Sequence, residues 1–105
     1  MNKNDPNYLS HEYYKNLVAY LDAKRILKNL IKLQKQEEDK QYIKYRFLSN
    51  DKISSEDAKR KASVDDEVLK YDEQIKEAEK VVDKHFSLVE GLTWKKDLLL
   101  DEISI

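Results

Sequence analysis

The chain has 105 residues, 39% of them charged and 40% hydrophobic, with a net charge of −1 and no cysteine. The lack of cysteine excludes disulfides, thiolate zinc sites and cysteine nucleophiles. Gly91 and Pro6 are the sole glycine and proline, and a β-rich domain of this length would need more turn-forming residues than that. The composition therefore predicts a few long helices joined by few loops.

The distribution of apolar residues gives no sign of a membrane or secretory segment. The longest uninterrupted apolar run covers residues 17–21, whereas a membrane-spanning helix needs about 20 residues. Residues 1–6 contain no apolar region of the kind found in signal peptides. We therefore expect a cytoplasmic protein that makes no use of a membrane.

The first helix is predicted over about residues 8–48. Asp5-Pro6 or Ser10 can begin it, and apolar residues then recur at spacings of four and three, with Lys24 as an exception. This pattern predicts a face that packs on another helix. Its members are Tyr13, Leu17, Tyr20, Leu27 and Ile31.

Two stretches of this helix are ambiguous in the sequence. Residues 34–41 lack any apolar side chain, which fits either a solvated helix or a loop; we favour the helix because no helix breaker is present. Residues 42–48 alternate apolar and basic side chains, as a strand does. A lone strand would have no partner for its backbone hydrogen bonds, so we favour helix here as well.

The second half of the chain predicts a turn over about residues 49–54 and a return helix over about 55–90. Ser54 can cap the return helix, and Ser63 suggests a break near residue 63. Gly91 is placed to end it, and Thr93 can cap a short helix over about 94–103. The return helix carries an apolar series at strict three-four spacing, typical of a coiled coil: Val68, Tyr71, Ile75, Ala78, Val82, His85, Val89 and Leu92.

The two long helices are expected to pack antiparallel, folded about residue 53, in one domain covering residues 1–105. Residues 1–50 have a net charge of +4 and residues 51–105 of −5, and the antiparallel arrangement would bring Lys35 close to Asp72. The predicted fold class is thus all-α: a long antiparallel, coiled-coil-like hairpin plus a short C-terminal helix, completed by oligomerisation. A homodimer would cover the apolar side chains outside the packed faces, chiefly Leu30, Leu33, Val81 and Leu88.

The sequence contains no arrangement typical of an enzyme. It has no glycine-rich phosphate loop, no GxSxG and no HExxH, so we expect no catalytic residues, no cofactor and no metal site. His85 falls in the apolar series, where a buried, hydrogen-bonded histidine is the simplest interpretation. His11 falls in the first turns of helix 1.

Large aromatic and aliphatic side chains at the open end of the hairpin indicate a partner-binding surface. Tyrosine and tryptophan combine area with a polar group and are frequent binding anchors. The tyrosines near the start of helix 1 and the apolar C-terminal segment would meet at this end. The candidate partner-binding residues are Tyr8, Tyr14, Trp94, Leu98, Leu99 and Ile103.

A basic and aromatic stretch of helix 1 provides an alternative surface. Cations bind phosphates and aromatic rings stack on bases, although pairing with acidic residues of the return helix explains the charges equally well. The candidate nucleic-acid-binding residues are Lys24, Arg25, Lys32, Lys40, Lys44, Arg46, Tyr42 and Tyr45.

Taken together, these patterns favour a non-enzymatic protein–protein interaction module: an adaptor, regulator or inhibitor that binds another protein and forms a homodimer. The excess of lysine over arginine is typical of AT-rich genomes, so a regulator encoded by a phage or mobile element and directed at a host protein fits. A nucleic-acid-binding module and a structural or scaffolding oligomer are the alternatives.

Overall fold

A computed structural model describes residues 6–50 and 52–103 of the chain, and the described part is helical without any strand. Helix α1 covers Pro6–Ile43 and continues as a π-helix over Lys44–Leu48; α2 covers Ser55–Ser63 and α3 covers Asp66–Ile103. The predicted all-α helical hairpin is confirmed, and residues 42–48 are helical as expected. No helix of the described part has the length and apolarity required to traverse a bilayer.

Backbone contacts divide the chain into two compact units. The terminal unit contains Met1–Arg25 and Ala78–Ile105, and the turn unit contains Ile26–Glu77. In each unit a stretch of α1 packs antiparallel to a stretch of α3, and the turn unit also contains the π-helix and α2.

Helix α3 presents one narrow face to the interior, and the sequence predicts that face in full. All eight positions of the strict three-four series are buried or half-buried, from Val68 to Leu92. Every other position whose burial is described between Asp66 and Leu98 is exposed. A strict heptad pattern that continues over the length of a helix determines which face of the helix is packed.

The packed face of α1 agrees with the predicted one at Tyr13, Leu17, Tyr20 and Leu27, which are half-buried, but not at Ile31. Lys24 and Ile31 are exposed, while Ala23 is buried and Asn16 is half-buried. From Leu9 the interior positions follow spacings of four and three, and the series includes polar residues that the apolar pattern did not predict. This inward-facing series, here called the α1 seam, consists of Leu9, Tyr13, Asn16, Tyr20, Ala23, Leu27, Leu30, Gln34, Glu37 and Gln41.

The amide side chains of the α1 seam donate hydrogen bonds from their nitrogen atoms. Asn16 Nδ2 donates to the Glu12 carbonyl at 2.7 Å. Gln41 is only 5% exposed; its Nε2 donates to Glu37 Oε1 at 2.9 Å, while its buried Oε1 has no partner among the described residues. A buried amide with a partner costs little, so residues 34–41 are helical without being fully solvated.

One contact in each unit fixes the antiparallel register. In the terminal unit the rings of Tyr20 and Phe86 lie 5.7 Å apart between centroids. In the turn unit Gln34 Nε2 donates to Asp72 Oδ1 at 2.8 Å. Both pairs are symmetric about residue 53, the predicted folding point. The expected ion pair of Lys35 with Asp72 does not form, since Lys35 pairs with Asp39 at 3.3 Å on its own helix.

The turn unit contains the two caps that begin the return arm. Ser54 Oγ accepts a hydrogen bond from Asp57 N at 3.1 Å, as the sequence predicts. The arm then breaks after Ser63, but Ser63 is not the second cap: its hydroxyl donates to the Arg60 carbonyl. Asp65 takes that role, with Oδ1 accepting from Glu67 N at 2.9 Å.

The expected end of the return helix at Gly91 and the separate short helix over 94–103 are wrong. Helix α3 is continuous to Ile103, and Gly91 does not adopt a positive φ. Thr93 lies within α3 and does not cap a helix, because its hydroxyl donates to the Val89 carbonyl one turn earlier at 2.9 Å. A glycine costs a helix about 1 kcal/mol relative to alanine, which a continuous run of backbone hydrogen bonds tolerates.

Helix α2 packs through alanine, and this predicts a sensitive site. Ala58 and Ala62 are both fully buried, at 0% exposure. We expect Ala58→Leu to lower the free energy of unfolding by about 1–3 kcal/mol, because added carbon atoms must displace close-packed neighbours. Urea denaturation measures the change. The neighbouring exposed substitution Lys59→Leu should change stability by no more than about 0.5 kcal/mol, and equal effects of both substitutions would contradict the packing of α2.

Candidate functional site

The face of α1 opposite its seam carries a second apolar series in the terminal unit. Tyr14, Val18 and Leu21 are spaced by four and three residues, and they are 69%, 48% and 54% exposed. At 100° per residue, Val18 points about 180° away from the mean direction of the seam residues around it. We call Tyr14, Val18 and Leu21 the back stripe.

Polar residues bound the back stripe. His11 and Arg25 lie at its two ends on the same side of the helix as Val18, and both are exposed. Lys15 and Asp22 lie together along one edge, while Tyr14 and Leu21 lie along the other. Arg25 Nη2 contacts Asp22 Oδ1 at 3.3 Å, an exposed pair one turn apart. The back stripe is therefore an apolar patch with polar residues at its ends and charged residues along one edge.

The predicted partner-binding residues have different surroundings. Tyr14 belongs to the back stripe, Tyr8 is half-buried, and Trp94 and Leu98 are exposed on α3. The side chains of Leu99 and Ile103 lie outside the described part of the structure. Trp94 lines an open depression of about 600 Å³ on α3, together with Ser87, Val89, Glu90, Gly91, Thr93 and Asp97.

The residues that the sequence predicts to be covered by a second copy also differ in their exposure. Leu30 belongs to the α1 seam and is half-buried within the hairpin. Leu33, Val81 and Leu88 are partly exposed. Val18 and Leu21, which the sequence-based prediction omitted, have larger exposed fractions than these three.

The aromatic members of the basic stretch make contacts inside the turn unit. Tyr42 Oη and Ser55 Oγ share a hydrogen bond of 3.1 Å, and Tyr45 Oη donates to Asp65 Oδ2 at 2.6 Å. Both tyrosines are half-buried. Their hydroxyl groups join the end of the first arm to the beginning of the second.

Several of the predicted phosphate-binding cations also have internal contacts. Arg46 Nη1 donates to the Ile53 carbonyl at 2.5 Å, and Arg25 pairs with Asp22. Lys24 lies over the Tyr20 ring at 5.4 Å and Lys44 lies over the Tyr45 ring at 5.8 Å. Lys32 and Lys40 are exposed.

The π-helix creates an exposed apolar surface that the sequence did not indicate. Phe47 and Leu48 are well exposed, and the Phe47 ring meets Tyr42 edge to face with 6.5 Å between centroids. A groove of about 480 Å³ runs beside them, lined by Gln36, Asp39, Lys40, Gln41, Ile43, Lys44 and Leu48. Single turns of π-helix occur often at functional sites, but their extra residue has no sequence signature.

The geometry brings together no constellation for metal binding. Within residues 6–50 and 52–103, no group of three or more His, Asp or Glu side chains is arranged to hold an ion. His85 is half-buried in the α3 series, and its Nδ1 makes no hydrogen bond to the described residues. His11 is exposed on α1.

Comparison with known proteins adds no further assignment. Protein-family models, curated proteins and solved structures were all compared with the chain, and none matches it.

The hydrogen bond between Tyr45 and Asp65 has a pH signature. The bond from Tyr45, helped by a second one from Glu67 N, holds the pKa of Asp65 below its ordinary value of 3.8. The same bond raises the pKa of Tyr45 above 10.0. The contribution of Asp65 to stability is thus present above pH 3.8 and is lost as the pH falls through its folded pKa. That of Tyr45 is present below pH 10.0 and is lost as the pH rises through its folded pKa.

We expect Tyr45→Phe to lower the urea midpoint near neutral pH, because the phenol no longer donates to the Asp65 carboxylate. The difference from the native chain should shrink when the pH falls below 3.8. Tyr42→Phe is the matched control, since Tyr42 bonds to the neutral Ser55 hydroxyl; its cost should persist in acid. An undiminished cost of Tyr45→Phe at the lowest pH would show that the bond does not depend on the carboxylate.

Proposed function

We propose that the chain is a non-enzymatic protein–protein interaction module, an adaptor, regulator or inhibitor, and that it binds another polypeptide through the back stripe. The observation that carries the proposal is the two-faced character of α1 in the terminal unit. One face packs on α3, and the opposite face presents Tyr14, Val18 and Leu21 to solvent.

The energetics favour a partner on this face. Fully burying a valine or leucine side chain is worth roughly 1.5–3 kcal/mol relative to leaving it in water. Apolar residues at spacings of four and three are also the pattern with which a helix packs against another helix. A folded hairpin that leaves such a series in solvent gains free energy when a helical surface covers it.

Nucleic-acid binding has less support from the contacts of its proposed residues. The Tyr42 and Tyr45 hydroxyls are engaged with Ser55 and Asp65, so stacking these rings on bases would disturb the turn. The Arg46 guanidinium is bonded to a backbone carbonyl. We also propose a cytoplasmic location, with which the absence of cysteine is compatible. A phage or mobile-element origin is a further part of the proposal.

A photo-cross-linking experiment tests the proposal. A benzophenone-bearing amino acid replaces Val18, and the chain is irradiated in the cells that produce it. Because the back stripe should lie against a polypeptide, we expect a covalent adduct of discrete mass on a denaturing gel. Mass spectrometry then identifies the polypeptide, whether it is a foreign protein or the chain itself.

Val64 is the matched control position, since it is also a valine, is 66% exposed and lies in the turn unit. The benzophenone at position 64 should give no adduct of discrete mass. The absence of any polypeptide adduct from position 18, or identical adducts from both positions, would overturn the proposal.

A further inference from the structure

The charged residues beside the back stripe are placed so that two antiparallel copies of the stripe bring opposite charges together. Lys15 and Asp22 lie on the same edge of α1 and are both exposed. Their positions are nearly symmetric about Val18, three residues before it and four after it. When two copies of this helix face run antiparallel, each lysine therefore lies level with the aspartate of the other copy.

We infer that the occupant of the back stripe is a second copy of this chain, packed with its α1 antiparallel across a two-fold axis near Val18. Antiparallel helices bring like edges together, as the corresponding flanking positions of antiparallel coiled coils do. The Lys15–Asp22 edge of one copy then faces the same edge of the other. Two intermolecular ion pairs result, in which Asp22 adds Lys15 of the other copy to its contact with Arg25 of its own chain.

The apolar side chains fit the same axis. With the centre at Val18, Tyr14 of one copy lies within about one residue, or 1.5 Å along the axis, of Leu21 of the other. Tyr14 and Leu21 share the edge opposite the ion pairs. The contact between Tyr14 of one copy and Leu21 of the other therefore occurs twice in the dimer. The two Val18 side chains meet at the centre, where their small size lets the helices approach closely.

The symmetry also determines the size of the assembly. An interface that uses the same patch on both copies is isologous and closes after two chains. The second copy is therefore expected to give a discrete dimer rather than the open assembly of a scaffolding oligomer. This inference rests on the proposed function, since it names the partner of the same back stripe.

Sedimentation equilibrium of the full chain tests the apolar part of the inference. The native chain should associate to a dimer in the micromolar range. Val18→Glu should weaken the dimer by about a hundredfold or more, because two carboxylates would be buried face to face. Val64→Glu adds the same charge to an exposed valine outside the stripe and should leave the association unchanged. Circular dichroism verifies that each variant keeps its helical content.

A charge exchange tests the register of the two helices. Loss of folding cannot produce the restored affinity that we expect for the double variant. Lys15→Glu should weaken the dimer by about two- to twentyfold, because the introduced glutamate faces Asp22 of the other copy at two symmetric places. Asp22→Lys should weaken it similarly. The double variant Lys15→Glu with Asp22→Lys should restore most of the affinity, since the ion pairs form again with reversed signs.

A native chain that is monomeric at high micromolar concentration would overturn the inference. So would a dimer that is indifferent to Val18→Glu, or a double variant no better than the two single ones. The cross-linking experiment keeps this failure separate from that of the proposed function. An adduct of Val18 with a foreign protein alone would end the dimer inference and leave the interaction module standing.

Discussion

The antiparallel packing of α1 on α3 is the constraint on which the other features depend. The contact of Tyr20 with Phe86 and the hydrogen bond from Gln34 to Asp72 hold the two arms in one register. Once the strict series of α3 faces α1, the orientation of α1 about its own axis decides which of its apolar side chains remain in water. The exposure of the back stripe is thus a consequence of how the hairpin packs.

The composition of the α1 seam explains why some apolar residues of α1 lie outside it. Ala23, Asn16 and Gln34 occupy inward positions, since alanine permits close approach and both amides find hydrogen-bond partners. Positions filled in this way are not filled by larger aliphatic side chains. Val18 and Leu21 are therefore displaced to the opposite face, where burial against a partner is the remaining source of hydrophobic stabilisation.

The success of the sequence predictions differs between the arms for a physical reason. Helix α3 has one long, regularly spaced apolar series, and the orientation of the helix follows from that spacing. Helix α1 has apolar residues on two faces, so the apolar pattern included Ile31, which is exposed, and left out Ala23, which is buried. An apolar pattern does not reveal the side-chain hydrogen bonds that allow an amide to lie inside the hairpin. It does not reveal a π-helix either. Tyr14, Trp94 and Leu98, which the sequence suggests as partner-binding residues, are exposed, and their binding role stays a prediction. Gly91 suggested an end of the helix that α3 does not have.

Thiol labelling of single cysteines along α1 tests the account most directly, because the native chain contains none. Cysteines at seam positions Asn16 and Ala23 should react slowly at every protein concentration, since α3 of the same chain covers them. Cysteines at Val18 and Leu21 should react fast in dilute solution and slowly in concentrated solution, where a second copy covers them. Fast labelling of Val18 and Leu21 at all concentrations, or fast labelling of Asn16 and Ala23, would contradict the account.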